Sequence, residues 1–264
     1  MSAVLYDTIG RNYSVHRRAD YRIADCLINY LNIPENSIIA DIGAGSGNYS
    51  NALAERGFFV KAIEPSDIMK NQSVKKDNVE WIKGAAENIP LEDASVDAVV
   101  SIMASHHFTS LSEALAEMNR ICPDGPILWF TFDPREADNP WIADYFPKIW
   151  ADAMRIFPSL NELKDLFSKA THKTVRIHSF KLPPDLDDKF LAACWRKPSA
   201  YLNEDARQAM SGFAVADPVQ VGHGIEKLKN DLIDGTWTQK YGYVLNFEEI
   251  DWGYRFIIAG KAHN

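Results

Sequence analysis

The sequence predicts an α/β fold built on a doubly wound sheet, and three observations predict it. Short apolar runs alternate with helical stretches from about residue 37 to 133, the pattern of parallel strands covered by helices on both faces. A glycine-rich turn, "DIGAGSG" (residues 41–47), directly follows the first run. An acid, Glu64, ends the second run, about 23 residues after Asp41.

The elements follow in chain order. Residues 1–36 carry "YDTIGRNYSVHRR" and then "ADYRIADCLINYL", in which Ile23, Leu27 and Leu31 share one helical face. They are expected to form an N-terminal lid and a helix. "SIIADI", "FFVKAI", "VEWIK", "VDAVVSIM" and "PILWFTF" are short, rich in Val, Ile and Phe, and bounded by Gly, Pro, Asp or Asn, so they read as strands. "SLSEALAEMNRI" is the clearest helix: Ser110 and Glu113 have capping-box spacing, and Leu111, Leu115 and Met118 mark an apolar face. Asp133 ends the fifth strand before a proline, at the lip where ligands bind, and is a candidate base there or, as is commoner, a turn or cap residue. Asn139 and Pro140 suit the N-cap and first position of an aromatic-rich helix that Pro147 kinks or splits.

"SLNELKDLFSKA" opens with a second capping box, Ser159 and Glu162, and leads into a strand "TVRIHSFKL"; "DWGYRFIIAG" reads as the last strand. The core therefore spans residues 37–182, and the last core strand lies within 249–264. Between them, residues 183–248 contain "DLDDKFLAACW" and "GIEKLKNDLIDG", both of helical character. A strand pair needs only a short turn, so this excursion predicts a helical cap that shapes a binding site.

Composition limits the function. The 264 residues fit one large domain with an insertion, and 36 acidic against 28 basic residues give a formal net charge of -8. That balance argues against broad contact with a phosphate backbone and favours small-molecule partners. Cys26, Cys122 and Cys194 are odd in number and scattered, as in a reducing compartment. The N-terminus lacks the basic-then-apolar layout of a signal peptide, and no apolar run approaches the roughly 18 to 20 residues that span a bilayer. A cytoplasmic monomer or homodimer without a membrane span is expected. There is no H-x-H, paired Cys or acidic cluster with metal-ligand spacing, so no metal is expected.

Glycine at residues 43, 45 and 47 admits positive φ and lets a ligand approach the backbone closely. The spacing is G-x-G-x-G, whereas the dinucleotide turn is G-x-G-x-x-G. Asp41, two residues ahead, suits a ligand bearing an ammonium group rather than a pyrophosphate. Glu64 stands where a carboxylate accepts ribose hydroxyls. The ligand asked for is a nucleoside with free ribose hydroxyls and a cation.

With these motifs in place, the sequence resembles the class I S-adenosylmethionine-dependent methyltransferases, particularly the small-molecule group that includes ubiquinone-biosynthesis-type enzymes. "DIGAGSG", "AIEPS" and "GAAENIPLEDASVDAVVSIMASHHF" occur in order and at the expected intervals. The resemblance implies S-adenosyl-L-methionine as cofactor and a sheet of seven strands in order 3-2-1-4-5-7-6, the last antiparallel. It implies cofactor contacts at Asp41, Gly43, Ala44, Gly45 and Gly47 for the methionine moiety. Glu64 and Pro65 would meet the ribose, with Ala86, Glu87 and Met103 further along the site. Ala85 departs from the family pattern, which often has an acid there facing the adenine amino group. Tyr13 and Arg17, with Tyr6 and His16, would form a lid that closes on the cofactor, as in relatives, the alternative being a segment that only packs on the core.

Methyl transfer aligns nucleophile, carbon and sulfur, and a base helps if the acceptor starts protonated. His106 and His107 end the fourth strand at the sheet's ligand-binding lip and are the candidate bases, the alternative being packing or loop histidines. Phe146, Trp150, Trp195, Phe213 and Trp237 are candidates either for an apolar acceptor pocket or for subdomain core, and His223 for the pocket or a solvated loop. The reading is transfer of a methyl group to a small-molecule acceptor. Three others stay open: a nicotinamide oxidoreductase, which the glycine spacing disfavours, a tRNA-modifying methyltransferase and a non-catalytic S-adenosylmethionine-binding regulator. The acceptor atom is not legible.

Overall fold

The computed structural model describes residues 17–208 and 210–260. Seven strands form one sheet: β1 (Ile38–Ile42), β2 (Phe59–Ile63), β3 (Val79–Ile82), β4 (Ala98–Ile102), β5 (Ile127–Phe132), β6 (Thr174–Ser179) and β7 (Tyr254–Gly260). Their order is β3-β2-β1-β4-β5-β7-β6. β7 runs antiparallel to both β5 and β6, and the other pairs are parallel. This is the order the family resemblance implied.

Alternate residues of the central strands feed two buried clusters, because side chains leave a strand on opposite faces in turn. Ile39, Leu128 and Phe130 join the cluster that includes Leu27 and Leu31 of α1 (Tyr21–Leu31) and Leu53 of α2 (Asn48–Ala54). Ala40 and Trp129 join the cluster of α4 (Leu111–Ile121) and α7 (Leu160–Thr171), and a one-turn helix, α3 (Asp67–Lys70), follows β2. The spacing of Ile23, Leu27 and Leu31 predicts the buried face of α1, and all three are buried.

Several local expectations shift. The capping box at Ser159 and Glu162 is complete. At Ser110 only half forms: its Oγ accepts from Glu113 N–H, but its own N–H donates to the Glu87 carboxylate at 3.1 Å. Pro147 splits the aromatic stretch into α5 (Trp141–Tyr145) and α6 (Pro147–Ile156). The entry is displaced by one residue, with Pro140 at the N-cap and Asn139 in the left-handed region at φ 42°. Asp133 is a cap, accepting from Arg135 N–H at 3.0 Å and from Leu160 N–H at 2.9 Å.

The connection from β6 to β7 contains α8 (Glu204–Gln208), α9 (Ser211–Ala214), α10 (Pro218–Ile233) and α11 (Thr236–Tyr241). "DLDDKFLAACW" is not helical; it is a chain of turns. Its polar groups bond elsewhere: Asp187 N–H donates to Asp20 Oδ2 at 2.8 Å, and Asp188 pairs with Arg17. These helices pack with α5 and α6, which belong to the β5–β6 connection, so the helical layer has two sources in the sequence. Trp141 of α5 is its centre: its indole N–H donates to Trp195 O at 2.8 Å, and its ring meets Tyr201 and Trp237 edge-on. Phe146, Trp150, Trp195, Phe213 and Trp237 are all buried in this core.

Candidate active site

The glycine turn lies where β1 delivers the chain to α2. Gly43 and Ala44 N–H groups both donate to Ile63 O, at 2.9 and 3.1 Å, which fixes the turn across the ends of β1 and β2. Gly43 has φ 73°, and a Cβ there would lie 2.6 Å from Ala104 Cβ, so the close approach of the "MASHH" segment excludes a side chain. Gly45 N–H donates to Glu64 Oε2, and Ser66 N–H to Oε1, both at 2.9 Å. Burial raises the Glu64 carboxyl, and these two N–H bonds hold part of that rise back.

Around this turn opens a cavity of about 250 Å³. Gly43, Ala44, Gly45, Glu64, Pro65, Ala86, Glu87, Met103 and Arg17 line it, together with His107. Gly47 does not; it caps α2 in the left-handed region at φ 76°. Asp41 does not line it either. Its Oδ2 accepts from Ser50 Oγ at 2.6 Å behind the turn. Burial pushes its carboxyl up to about 7, Ser50 holding part of that back and Glu64 adding to it. The direct ammonium contact expected of Asp41 is therefore not supported by its position, which braces the turn. Glu87 lines the cavity, but its Oε1 accepts from Thr109 N–H, Thr109 Oγ1 and Ser110 N–H, at 2.5, 2.9 and 3.1 Å, so it fixes the loop before α4. Tyr13, with Tyr6 and His16, lies outside the described residues.

A second cavity, about 80 Å³, adjoins the first: Arg17, Met103 and His107 line both. Its walls are largely apolar, with Phe132, Ile149, Phe157, Phe190 and Leu191. The aromatics singled out from the sequence stay in the core, and His223 is exposed on α10 beside a separate surface groove. Met103, between the cavities, has φ 52°, a left-handed conformation that costs a non-glycine residue roughly 1–2 kcal/mol. Its N–H is held by Phe130 O at 2.8 Å.

His106 lines the second cavity, and both of its ring nitrogens are buried without a hydrogen-bond partner among the described residues. Its ring stacks between His107 and Phe157, with centroids 3.8 and 4.5 Å away. Burial, then the charge of His107 and Arg17, holds its imidazole well below the usual value. Burial also lowers His107, to about 4. Both imidazoles are therefore neutral at pH 7.

Sequence reasoning missed Asp188 and Tyr49 in the first cavity and Phe190 and Tyr254 in the second. Asp188 fell in the stretch read as a helix. Among the described residues no group of three or more His, Cys, Asp or Glu side chains is placed to hold a metal, and no helix is long and apolar enough to cross a membrane.

The residues present fit a nucleoside with an amino-acid arm. Glu64 is held open toward the cavity by two backbone N–H groups, and the turn brings backbone rather than side chains to its wall. Comparison with known proteins agrees. A methyltransferase-domain family model matches residues 40–130. A crystal structure named "Putative methyltransferase from antibiotic biosynthesis pathway", from Anabaena variabilis ATCC 29413, is 48% identical, with a TM-score of 0.90, covering 92% of this chain and 98% of that one. An uncharacterized methyltransferase of Geobacillus sp. is 29% identical over 47% of this chain and 61% of its own length. The ubiquinone/menaquinone biosynthesis C-methyltransferase of Rubrivivax gelatinosus is 28% identical over 53% of this chain and 64% of its own. The chain thus spans less than two thirds of the length of these two curated relatives. Sheet order, glycine turn, the acid at the end of β2 and near-full-length similarity converge: the chain belongs to the class I S-adenosylmethionine-dependent methyltransferases.

Proposed function

We propose that this protein transfers a methyl group from S-adenosylmethionine to a small, largely apolar acceptor held in the second cavity. The observation that carries the reading is the junction: Met103, His107 and Arg17 border both cavities, so a group bound in one faces a group bound in the other. S-adenosylmethionine supplies a methyl carbon on a cationic sulfur, open to in-line displacement. Glu64 accepts from the ribose hydroxyls, and the backbone of Gly43 to Gly45 lies along the ligand. Apolar walls keep water from competing with the acceptor.

His107 acts as the acceptor's proton partner at the junction. With its imidazole neutral above about pH 5, it can accept a hydrogen bond from a hydroxyl or other N–H or O–H acceptor group and take the proton as the new bond forms. His106 sits beside it and offers one donor and one acceptor nitrogen to the acceptor molecule.

Incubation with methyl-labelled S-adenosylmethionine and fractionated metabolite extracts tests the function. A small-molecule product carrying the label is expected, and its absence from every fraction while S-adenosylhomocysteine still binds would reject catalysis. With that acceptor, His107→Asn should lower kcat by roughly 100-fold. The wild-type rate should rise through the acid limb near pH 4 and be flat by pH 6; a limb near 6.5, or unchanged turnover in the variant, would remove His107 from this role.

A further inference from the structure

Among the described residues, three carboxylates and one guanidinium line the first cavity: Glu64, Glu87, Asp188 and Arg17. Glu64 is tied to the turn and to Ser66 at the end of β2, Glu87 is engaged by Thr109 and Ser110, and Asp41 lies behind the turn against Ser50. With Glu64 taken by the ribose hydroxyls in the proposed cofactor pose and Glu87 holding the loop before α4, Asp188 is the carboxylate among the described residues of this cavity that remains for the ammonium group of an amino-acid ligand, and it comes from outside the nucleotide-binding motifs.

Asp188 reaches the cavity from the β6–β7 connection and is almost wholly buried. Its Oδ1 pairs with Arg17 Nε, and its Oδ2 accepts from Arg17 Nη2 at 3.3 Å and from the Tyr49 hydroxyl at 3.0 Å. Burial, with the charge of Asp188 next, pushes the Tyr49 hydroxyl well above its ordinary value, so it stays a donor. Asn48 Nδ2 donates to Arg17 O at 2.8 Å, which sets the whole group over the start of α2, beside the glycine turn. A carboxylate offers roughly four lone-pair directions, and these bonds take three.

We propose that Asp188 binds the amino end of S-adenosylmethionine and that Arg17, its ion-pair partner, binds the carboxylate end; this rests on the cofactor reading above. A zwitterion laid beside a buried ion pair of opposite polarity gains at both ends, and gains most where water is excluded. Tyr49 is the positioning residue that aims the Asp188 carboxylate. The inserted cap thus supplies part of the cofactor site.

Calorimetry with two ligands tests the assignment. S-adenosylhomocysteine has the amino-acid arm; 5′-methylthioadenosine keeps the nucleoside and sulfur without it. Asp188→Asn should weaken S-adenosylhomocysteine by roughly tenfold or more, the loss of a charged hydrogen bond, and change methylthioadenosine by less than about twofold. Tyr49→Phe should give a smaller loss with the same selectivity. Equal weakening of both ligands would mean that Asp188 only holds the fold, and an unchanged S-adenosylhomocysteine affinity would also overturn the proposal. If Asp188→Asn does not fold because the buried Arg17 loses this carboxylate, the double variant R17Q/D188N removes both charges and carries the same comparison. Failure of the wild type to bind S-adenosylhomocysteine would instead overturn the cofactor reading itself.

Discussion

Asp41 is an acid held near its own titration point at pH 7. Burial, partly offset by Ser50, raises its carboxyl from 3.8 to about 7. Between about pH 4 and 7 the folded protein therefore keeps a proton that the unfolded chain has released, and stability from this group falls as pH rises through that window. Asp41→Asn stays neutral and can still accept from Ser50. Denaturant unfolding at pH 5 and pH 8 should show the wild type losing about 2 to 3 kcal/mol more than the variant between the two; equal pH responses would refute the burial account. Asp41 was visible in the sequence, but its neighbour was not: spacing cannot reveal that Ser50 turns the carboxylate away from the cavity. Asp188 was hidden more deeply. Its meaning depends on Arg17, 171 positions away, and on a stretch whose apolar and acidic spacing imitates a helix until tertiary bonds claim its polar groups.

Secondary-structure elements divide by how local their causes are. The strands from β1 to β5 were legible because buried parallel strands are short apolar runs closed by turn residues, and α7 because its capping box is contained within four residues. The split of the aromatic helix was legible from Pro147, but its partners were not, since α5 packs onto α10 and α6 onto α9, both far along the chain. The glycine turn is local too, and it gives a sharp test. Gly43→Ala must place a Cβ 2.6 Å from Ala104 Cβ at φ 73°, so the turn moves. Expected is a stability loss of roughly 1–2 kcal/mol from the left-handed backbone and loss of S-adenosylhomocysteine binding by at least about tenfold. Ala104→Gly in the same chain relieves the contact but not the backbone strain and should recover part of the binding. Normal binding by Gly43→Ala alone would contradict the close approach.

At the scale of the whole molecule, one apolar cluster runs from α1 along one face of the sheet into the helices before β7, so the sheet and the β6–β7 connection share an interior. The sheet order came from the family resemblance rather than from periodicity, which places strands but does not order them. What no pattern disclosed is that residues 17–22 and the β6–β7 connection are stitched together: Arg22 Nη1 donates to Asp185 Oδ1 at 2.7 Å, Asp187 N–H donates to Asp20, and Arg17 holds Asp188. These two chain segments wall the first cavity, and Arg17 walls the second as well. Turnover should therefore follow a compulsory order, with the nucleoside entering before the acceptor and leaving after the methylated product. An unreactive acceptor analogue should inhibit uncompetitively against S-adenosylmethionine, whereas a noncompetitive pattern would reveal random entry. An uncompetitive pattern would make the stitched wall a turnstile, admitting the second molecule only behind the first.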